Sequence, residues 1–361
     1  MIRAINKHIR QSPFFIRLLH WEYWPMNLVY TPVYLYWLYL AIRSRALLFF
    51  SAANPGIETG GLYGDAKIDI LNLIPTAYKP RTCHVGRNKS KAEIRQLLQQ
   101  YGIGYPLIAK PNVGERGFWV EKIDDEAGLW HYLRSHPQVD LLVQEYVHYP
   151  EEVSVLYYRF PGEQRGHISS LTLKKFLSVT GDGHSTLRQL ITAYPRARLQ
   201  LAVLEQRLGS CMEEVLPRGE TRQLVPIGNH SRGTTFLDGC HLIDERLLAV
   251  FDRISQQLPG IYFGRFDIRC QSLEALKQGR DFRILEINGV KSEPTHIYQP
   301  GFSLLEAYRI LFRQWRIIYQ LSMANNRRGV PFMKAKTGLK KYWRWYKYKR
   351  NGKFVTESPA V

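Results

Sequence analysis

Apolar positions along this chain recur with two different periods, and the switches between them mark out its elements. Short runs that alternate, or are apolar throughout, fall at 80–85, 107–110, 141–145, 152–160, 168–179, 262–270 and 282–287 and predict strands. Helical spacing predicts a helix carrying Lys67 and others at 91–100, about 125–135, 186–193, 197–208, 245–258 and about 303–318. Asn54-Pro55-Gly56 and Thr59-Gly60-Gly61 mark loops before the first of these. Strands and helices alternate without the regular strand–helix–strand rhythm of a doubly wound sheet, so the expected class is α+β.

The beginning of the chain follows neither rule. Residues 1–20 read as a short basic amphipathic helix. Met26 to Ile42 carries no charge but holds Tyr30, Tyr34, Tyr36, Trp37 and Tyr39, with Pro32 among them; Arg43 and Arg45 follow. That run falls short of the roughly 20 strongly apolar residues a spanning helix needs. Tyrosine and tryptophan favour the headgroup level of a bilayer. Two readings of 26–50 stand: a helix lying in a membrane interface, or a hairpin packed on the core.

Composition is that of a globular protein, with 45% hydrophobic and 22% charged residues. Cys83, Cys211, Cys240 and Cys270 are scattered without C-x-x-C spacing, which predicts reduced thiols, no disulfide framework and no zinc motif. No signal peptide is legible at the N-terminus, and a cytoplasmic location is expected. The net charge of +19 is concentrated: residues 307–356 hold 14 Lys/Arg and no acid. With Tyr342, Trp343, Trp345, Tyr346 and Tyr348 interleaved, this tail points to an anionic partner, a membrane surface, a nucleic acid such as RNA or an acidic protein, rather than a merely solvated end.

The chemistry lies in two stretches. Tyr105-Pro-Leu-Ile-Ala-Lys-Pro-Asn-Val-Gly-Glu-Arg-Gly-Phe118 is a strand ending in Lys110, followed by a loop with Gly114, Glu115, Arg116 and Gly117. Glycines let backbone N–H groups approach phosphate oxygens closely, and Lys110 adds a positive charge. Phe282-Arg-Ile-Leu-Glu-Ile-Asn288 is a strand on which Glu286 and Asn288 share a face, a hard-oxygen pair suited to Mg²⁺. Neither a Walker loop nor a dinucleotide fingerprint is present.

From about 67 to 308 these segments, in this order, resemble an ATP-grasp ligase such as D-alanine–D-alanine ligase. The stretch 179–191 is similar to a segment in the ATP-grasp part of cyanophycin synthetases. The resemblance implies two α+β subdomains closing over ATP, a first at 67–150 and a second at 151–325, flanked by the helical region 1–66 and the tail 326–361. It implies a Mg²⁺-dependent carboxylate–amine ligase that forms an acyl-phosphate and releases ADP and phosphate. Lys67, Lys110 and one of Lys174 and Lys175 match phosphate-binding lysines, and the 114–117 loop matches the lid over the phosphates. Glu145 with Tyr146, Val147 and His148 matches the adenine-binding hinge, and Glu152 the ribose carboxylate. Asp267, Glu286 and Asn288 match the metal ligands, and Arg265 the arginine that steadies the tetrahedral oxyanion. Substrate candidates are Asn229, His230, Arg232, Glu293 and His296. Lys291 and Glu293 replace the small residues usual after the asparagine, which puts D-alanine in doubt and leaves both carboxylate and amine unnamed. Three readings follow: a ligase working on the inner face of a membrane, an amino-acid ligase whose tail docks on RNA, or a nucleotide-binding scaffold without turnover.

Overall fold

The computed structural model describes residues 13–87, 89–114 and 117–351. In chain order the first elements are α1 (Pro13–Leu19), α2 (Met26–Ser44), α3 (Lys67–Leu73), β1 (Thr82–Val85), α4 (Lys91–Gln100), β2 (Leu107–Pro111), β3 (Glu121–Ile123), α5 (Glu126–Ser135) and β4 (Leu141–Glu145). There follow β5 (Glu151–Tyr158), β6 (His167–Lys175), β7 (Ser178–Thr180), α6 (Leu187–Ala193), α7 (Pro195–Arg198), α8 (Leu201–Leu208), β8 (Thr221–Gln223) and β9 (Thr235–Asp238). The chain ends through α9 (Glu245–Gln256), β10 (Phe263–Cys270), α10 (Leu273–Lys277), β11 (Phe282–Asn288), α11 (Leu304–Arg327) and α12 (Ala335–Asn351).

Two antiparallel sheets carry the fold, which is therefore mixed α and β with segregated helices. The first has the order β1-β4-β2-β3, the second β11-β10-β5-β6-β9, and β7 pairs with β8 alone. The first sheet buries Leu107, Leu129, Leu141 and Val143 in one cluster. Ser90 and Asp125 cap its two helices by accepting from backbone N–H groups three residues on. The second sheet is two-faced. One face, with Val153, Val155, Phe266, Ile268 and Ile284, packs on α3 and α9 in the largest apolar cluster. Strand alternation sends Glu152 and Ser154, Ser170 and Lys174, and Asp267 and Arg269 to the other face.

The N-terminal stretch packs as a helix and does so on one side only. Val29, Val33, Leu40 and Ala41 of α2 are buried against Phe49, Phe50 and α11. Pro32 lies inside α2 without ending it; the missing donor is one bond in a helix held by its neighbours. The outward stripe Leu28, Leu35 and Ile42 stays 60%, 65% and 70% exposed. No helix among the described residues is long and apolar enough to cross a membrane. The expected helix over 1–20 is seen as α1 from Pro13, and residues 1–12 lie outside the described ones.

This layer is joined to the second sheet through the 54–61 loop. Asn54, fully buried, donates to the carbonyls of Gly60 and Phe263 and accepts from the N–H groups of Tyr262 and Phe263. Gly61, at φ +85°, lies so close to Gly289 that a Cβ there would sit 2.6 Å from the Gly289 Cα. The basic tail folds back on the same region: Tyr63 donates to the Gly338 carbonyl at 2.9 Å, and its ring meets those of Tyr342 and Trp345.

Several expected elements differ in extent. The strand expected over 168–179 breaks after Lys175, because Leu177 turns into a separate cluster with Leu187 and Leu224. The helix expected over 197–208 is two helices interrupted at Gln200, and that expected to end near 318 continues to Arg327. β3, β8 and β9, of three or four residues each, are too short to impose a visible period.

Phe49 packs edge-on against Phe50, Trp315 and Tyr319 with no exposed surface. Phe49→Ala is expected to cost about 3–5 kcal/mol in urea unfolding. A cost below about 1 kcal/mol would show that the N-terminal layer is not part of the cooperative core.

Candidate functional site

The site forms where the polar face of the second sheet meets the ends of β2 and α3. In the register, Asp267 pairs with Glu286 on one side and Ser154 on the other, and Arg265 pairs with Asn288. These pairings put polar side chains of three strands, β5, β10 and β11, within reach of one another. Lys67, from the first turn of α3, and Lys110, from β2, reach in from the other side. The narrow cleft between them is lined by Asp65, Lys67, Lys110, Glu286, Asn288 and Lys291, with Ile70, Leu71, Leu285 and Ile287.

Charges alternate through this region. Lys67 binds Glu286 at 2.9 Å and donates to the Gly114 carbonyl at 2.7 Å, tying the glycine loop to β11. Lys174 lies between Glu152, 2.8 Å away, and Asp267, at 3.1 Å. Arg265 reaches Asp267 at 3.0 Å, Arg269 reaches Glu152 at 3.1 Å, and Asn288 donates to Asp267 at 3.1 Å. Ser154 also donates to Asp267. Burial alone would push such carboxyls up, but Arg265 and Lys174 hold Asp267 well below the usual carboxylate range. Lys67 and Lys110 likewise bring Glu286 to about 2 against its own burial. Lys174, though buried, is held above its ordinary value by Asp267 and Glu152.

Lys110 differs. Its ammonium is held by the Gln144 amide oxygen at 3.0 Å and the Leu285 carbonyl at 3.4 Å, both neutral groups. Burial, with Lys67 nearby, draws it down to about 8 despite the more distant Glu286 and Asp267.

The structure thus brings together Lys67, Lys110, Gly114, Glu152, Lys174, Arg265, Asp267, Glu286 and Asn288. Of the two adjacent lysines, Lys174 faces the site; Lys175 is exposed at the end of β6. Glu115 and Arg116 lie outside the described residues. Glu145 lies at the end of β4, where Arg81 engages both its oxygens at 3.0 Å. Tyr146, Val147 and His148 form the link from the first sheet to the second, the rings of Tyr146 and His148 meeting edge-on.

The substrate candidates separate. Arg232 donates to the carbonyls of Gly117 and Val120, both at 2.9 Å, and so fastens the far end of the glycine loop. Asn229 caps the turn that positions Arg232 by accepting from the Ser231 N–H. His230 lies among the rings of Tyr23, Phe236 and Tyr298, 3.9 Å from Glu22. Glu293 accepts from the Tyr298 hydroxyl at 2.5 Å, and His296 is buried against Ser170. Residues absent from the sequence expectations are Asp65, Ser154 and Arg269. The period of two that picks out Asp267 extends to Arg269, and Asp65 precedes Lys67 by two positions.

No family model matches the sequence, and no curated protein matches it. Among solved structures the chain is similar to a bifunctional glutathione synthetase from Pasteurella multocida at 14% identity and TM-score 0.37, covering 69% of this chain and 36% of that one. It is also similar to D-alanine–D-alanine ligase from Bacillus anthracis (13% identity, TM-score 0.41, 73% and 69% covered). VanG D-Ala:D-Ser ligase from Enterococcus faecalis is at 12% identity and TM-score 0.41, with 70% and 61% covered. The chain therefore spans about a third of the length of the synthetase. Likenesses this distant leave function to the residues themselves.

The Lys110 value sets a pH dependence. Its charge is complete below about pH 7 and fades as pH rises through 8. Binding of inorganic triphosphate is expected to weaken above pH 8, approaching tenfold per unit, with proton uptake measured by calorimetry in buffers of different ionisation heat. Unchanged affinity from pH 7 to 9.5 would remove Lys110 from the anion site.

Proposed function

We propose that this chain is an ATP-dependent carboxylate–amine ligase of the ATP-grasp type. The observation that carries this reading is that Lys67, Lys110, Glu286 and Asn288 line one cleft, with Asp267, held by Asn288, Lys174 and Arg265, directly beside it. Cations alone would suit any polyanion. Cations alternating with hard-oxygen donors suit a polyphosphate together with its metal.

The donor set fits Mg²⁺: two ionised carboxylates and an amide on neighbouring strands, with no sulfur or imidazole among them. Asp267, Glu286 and Asn288 would hold it, and when bound it would offset charge on phosphate oxygens. Lys67, Lys110 and Lys174 would hold the phosphates, the 114–117 loop would cover them, and Glu152 would hold the ribose hydroxyls. The Glu145–His148 link would lie along the adenine. A carboxylate oxygen of one substrate takes the terminal phosphoryl group and ADP leaves; the amine then attacks the acyl carbon, and phosphate leaves as the amide forms. Arg265 would stabilise the oxyanion between those two events, a role for a guanidinium already fixed by Asp267.

Asp267→Asn is expected to lower turnover by at least roughly 100-fold, read as ADP release against pooled carboxylates and amines with Mg²⁺. Arg265→Ala should lower kcat while sparing nucleotide affinity, because its role arises after binding. Wild-type turnover in Asp267→Asn would refute the metal assignment. Purified wild-type protein that binds nucleotide but releases no ADP with any pool would favour a scaffold.

The reading includes work at an anionic membrane surface, with the outward stripe of α2 in the headgroup region. Its support is the exposed Leu28, Leu35 and Ile42 ending in Arg43 and Arg45, and the absence of acids from 307 to 356. After nuclease treatment, the protein should float with phosphatidylglycerol vesicles and much less with phosphatidylcholine. Leu35→Asp with Ile42→Asp should abolish flotation. Sedimentation with both vesicle types would end the membrane reading and favour RNA as the tail's partner.

A further inference from the structure

At the outer edge of the second sheet's polar face, away from the ATP cleft, a second set of ligating side chains meets. Asp238 ends β9, Cys240 follows two residues on, and His296 arrives from the turn at Thr295–Tyr298. One carboxylate oxygen, the sulfur and one ring nitrogen all lie within 4.8 Å of one another.

The backbone beneath each of the three is fixed by contacts of its own. The Gly239 N–H donates to the Leu171 carbonyl at 2.9 Å, and the Cys240 N–H donates to Asp238 Oδ1 at 2.9 Å. The Asp238 N–H donates to the Gln299 side chain at 2.7 Å. Next to His296, the Thr295 hydroxyl bonds that of Thr172 at 2.9 Å. His296 Nδ1 is taken by the Ser170 hydroxyl at 2.6 Å, which leaves Nε2 as its ligating atom when Nδ1 carries the proton. A polar group holding the distal nitrogen of an imidazole is the usual support of a metal-bound histidine.

We propose that Asp238, Cys240 and His296 form a transition-metal site of the zinc class. One thiolate, one imidazole and one carboxylate are the donors of a borderline-soft ion, whereas the cleft's all-oxygen set is that of a hard one. Tetrahedral Zn²⁺ sets its ligand atoms about 3.5 Å apart, so atoms already within 4.8 Å of one another need to close by little more than about 1 Å at most. His296 is buried, while Asp238 and Cys240 are half-buried. On binding, the Cys240 S–H bond breaks, the sulfur–metal bond forms and the proton passes to water. The bound ion would staple the edge strand β9 to the 294–299 segment, which holds Tyr298 against Glu293 beside the cleft. C-x-x-C spacing cannot reveal such a site, because His296 lies 56 positions beyond Cys240.

Cobalt reports on the site directly. Full-length protein, stripped with chelator and titrated with Co²⁺, is expected to bind one equivalent with a thiolate-to-cobalt band in the near ultraviolet and tetrahedral bands in the visible. Zn²⁺ should displace it and raise Tm. Cys240→Ser should lose the ultraviolet band. His296→Gln and Asp238→Asn should each weaken Co²⁺ binding at least tenfold while near-ultraviolet circular dichroism stays native. Should Cys240→Ser not fold, Asp238→Asn, which keeps every thiol, decides through affinity. The proposal is overturned if wild-type protein shows no thiolate band, if the band survives in folded Cys240→Ser, or if Asp238→Asn binds Co²⁺ as the wild type does. None of these readings depends on the ligase chemistry.

Discussion

Ionised side chains taken out of water must be paired, and that requirement governs the ground between the two sheets. A carboxylate or ammonium left alone there would give up its charge. The chain answers with a lattice of alternating sign: Glu286 with Lys67, Asp267 with Arg265 and Lys174, and Glu152 with Lys174 and Arg269. Such an arrangement adds little to net stability; Asp267 and Glu152 each keep one cation when the other is lost, whereas removing both partners of a buried charge would cost about 3–5 kcal/mol. Its value lies in fixing the positions of groups that a phosphate-bearing ligand would meet. Lys110 is the exception within the lattice, since its nearest partners are neutral, and it is the ammonium most easily discharged.

How much of this was legible in the sequence depends on how far apart the cooperating residues lie. The strands of both sheets, except the short β3 and β9, are legible because apolar alternation is a local property, and with them the shared face of Glu286 and Asn288. The choice between Lys174 and Lys175 is not, since a lone pair of lysines fits either pleat; the pairing of β6 with β5 decides it. Arg232 is the clearest case. Its sequence neighbours suggest a substrate clamp, yet its guanidinium is spent on carbonyls 112 and 115 positions away. Long-range hydrogen bonds to backbone leave no trace in composition or period. The same holds for Glu145, whose carboxylate is engaged by Arg81 across the β1–β4 pairing.

The aromatic N-terminal stretch resolves into two roles on one helix. Its inner face completes a core with α11 and its outer face stays apolar in solvent, so packing and surface display are not alternatives. Hydropathy averaged over the run could not separate them, because both faces are apolar. The tail behaves similarly: α12 is strongly basic, yet it rests on Tyr63 through its rings and backbone.

The 54–61 loop contains a joint without padding. At Gly61 and Gly289 two main chains touch directly, and Asn54 ties the same loop to the start of β10. The same loop meets the lead into β10 backbone to backbone at Gly56 and Gly260, and at both joints no side chain lies between the chains to yield by changing rotamer. The Gly61–Gly289 joint sits one residue past Asn288, so the outer helical layer and the end of β11 meet main chain to main chain, with no side chain as a cushion. A side chain at either glycine would act as a wedge, prying the helical layer and the strand apart.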